Sequence, residues 1–244
     1  KAVTELAKDM GSKFGQLTEF YKGATVELYI LNKGLNLSAE AFNLQREMAA
    51  RTGQTGKEMA EEYAQMAVGF KKMGVNMKKL GKNFNELAKD VTNFGHMSQK
   101  ELISTAAYAE KLKISVESLK GVFDKFSNFE DASMGAAKLA EAFGMNVDAM
   151  DLLNANSPAE QIDQLRKSFN ESGQSVQDLN RHQRAYLEEM TGLKGEDLFN
   201  AFDPANMDVS YDDMLKEADK AKKELSPAEA MKEAAKEIKK AFKQ

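Results

Sequence analysis

The chain has 244 residues with 34 Lys and Arg against 38 Asp and Glu, and it contains neither Cys nor Trp. A net charge of −4 gives the chain as a whole no electrostatic footprint for a polyanion, and the lack of Cys excludes disulfides, thiolate zinc sites and cysteine nucleophiles. Only 3 Pro and many Ala, Lys, Glu, Leu and Met favour helices. Without an apolar run of about 18 residues or sustained two-residue alternation, the sequence predicts a soluble, all-α protein with no sheet.

The first predicted element is a coiled-coil-like helix over residues 1–33. Its apolar positions, here called the heptad stripe, alternate in steps of three and four: Ala7, Met10, Phe14, Leu17, Tyr21, Ala24, Leu28 and Leu31. A seven-residue repeat presents one narrow stripe, which is buried only against another helix. That helix belongs either to a sister chain, which makes the stripe an oligomer seam, or to the same chain. Three glycines in this region weaken an isolated helix by roughly 1 kcal/mol each, so both alternatives stand.

Residues 34–202 are predicted to form one domain of short helices joined at glycine turns. Seven glycines end apolar periodic stretches and are followed by polar capping residues: Gly34, Gly53, Gly74, Gly95, Gly144, Gly173 and Gly192. Two helix starts read SPAE, at 157–160 and 226–229, with Ser at the cap and Pro at the first helical position. The irregular glycine spacing argues against a solenoid of fixed period.

The last two predicted segments are a linker and a tail. Residues 203–213 read DPANMDVSYDD, lose helical periodicity and carry Pro and four Asp, which is typical of a linker or hinge. Residues 214–244 follow as two Lys- and Glu-rich helices. They are interpreted as a solvated helical tail, with a phosphate-binding arm as the alternative.

Residues with catalytic or metal-binding chemistry are few. The two histidines, His96 and His182, lack a convergent carboxylate cluster and predict no metal site. His182 is expected at a core or boundary position, and His96 beside the last carbonyls of a helix. Adjacent acids such as Glu61 and Glu62 diverge by about 100° on a helix, so they do not flank one bond. We therefore predict no catalytic residue, no cofactor and no metal.

Three phenylalanines, Phe123, Phe126 and Phe129, stand three residues apart in the stretch FDKFSNFEDA. Ser127 and Glu130 have capping-box spacing, which predicts a joint between two helices. On that interpretation Phe123 and Phe126 close one apolar face, and Phe129 opens the next. The three rings are predicted to share a core at a helix corner, each burying a large apolar area.

Residues 113–153 and 179–198 resemble the central helical region of tape measure proteins from tailed phages. That family combines a start of the form S(V)E(E/S)L, matched here by SVESL, with a joint DKF-x-x-FE-x-A, matched by DKFSNFEDA. A small-residue helix ending at Gly, a short acidic start before LL and a later helix before TG(L/I) follow, and this chain has TGL at 191–193. With less diagnostic upstream pieces, the resemblance covers about residues 73–203.

The resemblance implies a non-enzymatic virion structural protein. Such a protein is made in the host cytoplasm, occupies the phage tail lumen or baseplate region, sets tail length and is released at infection. Its partners would be sister chains in a trimer or hexamer, tail tube proteins and baseplate or tail-tip proteins. Membrane contact would be confined to ejection, and neither a small-molecule substrate nor a specific nucleic acid is implied.

The chain is short for such a protein. A fully helical chain of this length reaches only about 370 Å at 1.5 Å per residue. Because it also begins at Lys1, we expect a segment of a longer protein. The alternative is a cellular helical adaptor or chaperone-like module that binds partner helices in grooves rich in Met and Phe. A cell-wall hydrolase within a tail protein is a third hypothesis, without a candidate acid.

Overall fold

The computed structural model describes residues 25–241, and over that range the chain forms fourteen α-helices and no strand. The all-α prediction is confirmed for this part of the chain. The helices are α1 (Thr25–Leu35), α2 (Ala39–Thr52), α3 (Gly56–Lys72), α4 (Met77–Lys89), α5 (Val91–Phe94), α6 (Gln99–Leu112), α7 (Val116–Lys125), α8 (Phe129–Phe143), α9 (Ala149–Asn154), α10 (Pro158–Glu171), α11 (Arg181–Thr191), α12 (Glu196–Phe202), α13 (Tyr211–Glu224) and α14 (Pro227–Ala241). A 3-10 turn, Pro204–Asn206, lies between α12 and α13.

The described chain divides into two compact units whose limits differ from the predicted segments. Unit 1 comprises the described residues up to Ala107 and from Leu215 onward, and unit 2 comprises Tyr108–Met214. The prediction of one domain over 34–202 is therefore wrong, because the division falls within α6. The predicted free tail is also wrong, since the chain from Leu215 onward belongs to unit 1.

Helix α14 shows why the C-terminal segment is not a solvated tail. It packs against α1 and α3, and its Ala230 and Ala234 side chains are fully buried there. The Lys71 Nζ atom on α3 lies 2.7 Å from Glu233 Oε1 on α14. Hydrogen bonds from Lys236 and Lys71 lower the pKa of Glu233 to about 2. Small apolar residues and an ion pair thus hold α14 against the other helices of unit 1.

Most of the heptad stripe lies outside the described residues. Six of its positions precede residue 25, and the side chain of Leu28 is also not described. Leu31 is fully buried in α1, which packs against α3, α4 and α14 of the same unit. At Leu31 the intramolecular alternative therefore holds, and the oligomer seam stays a prediction for the other positions.

Helix α4 contacts the chain between α1 and α2 and fixes its conformation. Asn36 has a left-handed backbone with φ 60°, and its carbonyl accepts a hydrogen bond of 2.6 Å from Asn85 Nδ2. The Ser38 amide donates to Asn85 Oδ1 at 2.8 Å. One helical turn before Asn85, Gly81 lies against the Leu35 carbonyl group, where a side chain has no room. The backbone contact at Gly81 and the two hydrogen bonds of the Asn85 side-chain amide therefore fix the conformation of this joint.

Five of the seven predicted glycine ends adopt a positive φ: Gly53, Gly74, Gly144, Gly173 and Gly192. Gly34 and Gly95 do not. Gly34 lies inside α1, and the left-handed residue after that helix is Asn36. Gly95 has φ −66° but still follows α5 as its C-cap, so the predicted helix end is confirmed at Gly95 and wrong at Gly34.

Unit 2 is organised around the aromatic core of α8, α10 and α12. The Phe169 ring centroid lies 4.7 Å from that of Phe202 and 6.4 Å from that of Phe143. Helix α10 packs against α7 and α12, while α8 packs against α9 and α11. This arrangement places α7, α8 and the end of α11 around one surface groove.

Candidate functional site

A groove with a volume of about 700 Å³ lies on the surface of unit 2. It is lined by residues of α7 and α8 and by the end of α11 with the residues that follow it, and the lining contains five carboxylates and three lysines. Its apolar lining includes Met134, which is 45% exposed, and Met190. Every lining residue belongs to 113–153 or 179–198, the two segments that carry the resemblance. The groove therefore presents charges of both signs beside apolar surface.

Asp197 joins these two segments at one end of the groove. Its Oδ2 atom accepts hydrogen bonds from the Ser115 amide at 3.0 Å, Ser115 Oγ at 2.6 Å and Ser118 Oγ at 2.6 Å. Ser115 Oγ in turn accepts from the Ser118 amide at 3.1 Å, as the N-cap of α7. The serines of the SVESL start are therefore fixed by an acid far along the chain. No local spacing in the sequence indicates this role of Asp197, and it was not predicted.

We expect Asp197→Ala to destabilise unit 2 by about 1–3 kcal/mol, because it leaves the buried Ser118 hydroxyl without its acceptor. Hydrogen exchange of the α7 amides in the full chain measures the effect. Glu196→Ala is the matched control, because it removes an exposed carboxylate from the same first turn of α12. Equal effects of the two substitutions would contradict the role assigned to Asp197.

The TGL motif forms the C-terminal end of α11. Thr191 is fully buried, and its Oγ1 atom donates to the Leu187 carbonyl at 2.7 Å and accepts from the Leu193 amide at 3.3 Å. Gly192 has φ 79° and ends the helix. Its backbone lies directly against that of Gly121 on α7. The motif thus brings two helices into backbone contact beside the groove.

The joint in FDKFSNFEDA is confirmed, but its predicted cap and shared core are not. Helix α8 begins after Asn128, whose side chain accepts from the Asp131 amide at 3.0 Å. Phe126 is buried and its ring covers Gly135 of α8. Phe123 is half-buried, whereas Phe129, at the first position of α8, is 62% exposed. The core prediction is therefore wrong for Phe129, because Phe126 alone occupies the face of α8 at Gly135.

A second polar cluster surrounds Arg166 of α10, which is 3% exposed. Its guanidinium donates to three carbonyls of one stretch of chain: Ala201 at 2.7 Å, Val209 at 2.7 Å, and Asn206. The segment 203–213, predicted to be a linker, is thus held against α10. Arg166 was not identified from the sequence, although its position one turn after Ile162 on an otherwise apolar face is a signal for a buried polar residue.

Asp163 is the counterion of Arg166. Its Oδ1 atom accepts from Arg166 Nη1 at 2.9 Å and from the Tyr108 hydroxyl at 2.5 Å, and its Oδ2 atom accepts from the Tyr211 amide. Burial raises the pKa of Asp163, although the hydrogen bonds and the Arg166 charge oppose that shift. Burial, followed by the Asp163 charge, raises the pKa of Tyr108 well above its usual range. The cluster is a hydrogen-bonded ion pair in which Arg166 is buried and Asp163 is partly exposed.

Both histidines are exposed, so the expected core or boundary position of His182 is wrong. Within residues 25–241 no group of three or more His, Asp or Glu side chains is placed to hold a metal ion. No helix in the same range has the length and apolar character needed to cross a bilayer. Comparisons with protein-family models, curated proteins and solved structures find no match.

Proposed function

We propose that this chain is a non-enzymatic virion structural protein, a helical segment of a phage tail tape measure. One observation carries the proposal. The two segments that resemble that family, 113–153 and 179–198, lie in the same compact unit and supply every residue that lines its groove. They are joined by the Asp197 hydrogen bonds and by the contact between Gly121 and Gly192. The matching motifs therefore define a local three-dimensional structure as well as a sequence pattern.

The proposed role of the chain is to pack with sister chains in the tail and to be released from it at infection. Sister chains in a trimer or hexamer, together with tail tube and baseplate proteins, are the proposed partners. The groove, with carboxylates and lysines beside two methionines, offers such partners both charge and apolar area. Short helices joined by turns allow the chain to be stored compactly and drawn out. Unit 2, Tyr108–Met214, spans 107 residues and would reach about 160 Å as a continuous helix.

The test is the content of tailed particles produced by the genome that encodes the chain. We expect quantitative mass spectrometry to find the chain in purified full particles at three or six copies per tail. It should be lost from particles that have ejected their DNA, since the proposed protein leaves at infection. The tail tube protein, which stays in both preparations, is the internal control. Absence of the chain from full particles, or its full retention after ejection, contradicts the proposal.

A cellular helical adaptor is the second candidate, favoured by Met134 and Met190 in the groove, because flexible thioethers suit partner helices of varied sequence. This function places the chain in cell extracts, in complex with a host protein and outside particles. The same fractionation therefore distinguishes the two functions.

A further inference from the structure

The segment 203–210 is attached to unit 2 mainly through polar contacts. Of its eight residues only Val209 has a buried side chain. Asn206 contributes one further bond, from its Nδ2 atom to the Asn200 carbonyl at 2.9 Å. Segments with little buried apolar area open locally at lower free energy than the core of a domain. The hydrophobic effect therefore contributes little to holding this segment against the rest of unit 2.

The Arg166 guanidinium supplies most of the remaining attachment. It donates to the Asn206 and Val209 carbonyls within the segment and to the Ala201 carbonyl just before it. A planar guanidinium with five donors can bind several carbonyls at once, which a lysine ammonium cannot match in geometry. One buried side chain therefore binds the chain on both sides of the 3-10 turn.

Asp163 extends the same attachment to the start of α13. Its carboxylate accepts from the Tyr211 amide and from Arg166. The Tyr108 ring lies edge-on to the Tyr211 ring with centroids 6.0 Å apart. Asp163 compensates the charge of Arg166, which without this partner is left as an uncompensated buried ion.

We propose that Arg166 and Asp163 form a latch, a conformational device that keeps segment 203–210 and the first turn of α13 closed against α10. Release of the latch opens this stretch while the packing of α7, α8 and α11 persists. Breaking a buried ion pair by removing one partner is strongly destabilising. Here that loss falls on a segment with little apolar anchorage, so this segment opens before the packed helices of unit 2.

The test is residue-resolved hydrogen exchange of the full chain carrying Arg166→Met. The reporter amides are those of Asn206, Val209 and Tyr211, which donate to Asp203, Asn206 and Asp163. We expect them to exchange about 100-fold faster or more, with the α7 and α11 amides unchanged. Lys167→Met is the matched control, because it makes the same chemical change at an exposed neighbouring position.

Tyr108→Phe is a milder second variant. It removes the hydroxyl that bonds Asp163 and Arg166 but keeps the ring, and we expect about 10-fold faster exchange confined to the same amides. Uniformly faster exchange across unit 2, or none, in Tyr108→Phe overturns the latch, whether or not Arg166→Met folds. Selective opening in Tyr108→Phe supports it.

Discussion

Gly81→Ala is expected to destabilise unit 1 by about 3 kcal/mol or more. Ala normally stabilises a helix interior by about 1 kcal/mol relative to Gly. The expected loss of stability is therefore opposite in sign to the usual effect of this substitution. A Cβ atom on residue 81 would lie 2.8 Å from the Leu35 carbonyl carbon and closer still to its oxygen. Because these are backbone atoms, no rotamer change relieves the clash, and α4 must move away from the joint.

The measurement for Gly81→Ala is urea unfolding followed by circular dichroism, with hydrogen exchange of α1 and α4 amides assigning the change to unit 1. Lys82→Ala is the control at the next, exposed position of α4. Displacement of α4 also breaks the Asn85 bonds to Asn36 and Ser38, so the α1–α2 joint should lose protection first. A gain in stability for Gly81→Ala would contradict the backbone contact.

Local sequence signals predicted helix starts well. Thr55 and Glu58, which have capping-box spacing, form the box, with the Glu58 amide donating to Thr55 Oγ1 at 3.2 Å and the Thr55 amide to Glu58 Oε2 at 2.7 Å. Ser226 and Glu229 exchange the same two bonds. These bonds join residues three apart, so chain geometry alone determines them.

Local sequence signals did not predict the contacts between segments that are distant along the chain. The partners of Asp197 lie near residue 115, and the carbonyls that bind Arg166 lie 35 to 43 positions away. The composition of 203–213 predicted a linker or hinge, and that prediction is wrong, because the segment lies within unit 2 and contains a 3-10 turn and the start of α13. Composition did not reveal that the buried Arg166 guanidinium holds this segment in place, where few apolar side chains are buried.

The phenylalanine joint shows how a one-residue error in a cap changes the predicted environment of a side chain. The prediction used Ser127 as the cap, whereas Asn128 caps α8. Phe129 therefore stands at the first helical position, where it is mostly exposed. Three-residue spacing identifies a common face only within one helix, and here a helix boundary separates Phe126 from Phe129.

Gly192→Ala is expected to destabilise unit 2 by about 2–5 kcal/mol, from two separate causes. An alanine at φ 79° costs about 1–2 kcal/mol because the left-handed region crowds its Cβ. That Cβ would also lie 2.5 Å from the Gly121 carbonyl carbon and 2.9 Å from the Val122 amide nitrogen, which adds about 1–3 kcal/mol of overpacking. Urea unfolding with hydrogen exchange of α11 amides measures the loss.

Gly144→Ala separates the two causes. Gly144 ends α8 in the same unit with φ 68°, but a Cβ there meets no atom within 4 Å. Its substitution should cost only the backbone contribution of about 1–2 kcal/mol, so the difference between the variants measures the contact of α11 with α7. Equal losses in the free energy of unfolding would mean that α7 moves at Gly121 and accommodates the new Cβ atom. A larger loss at Gly192 means that the glycine of the TGL motif is required for the backbone contact beside the groove.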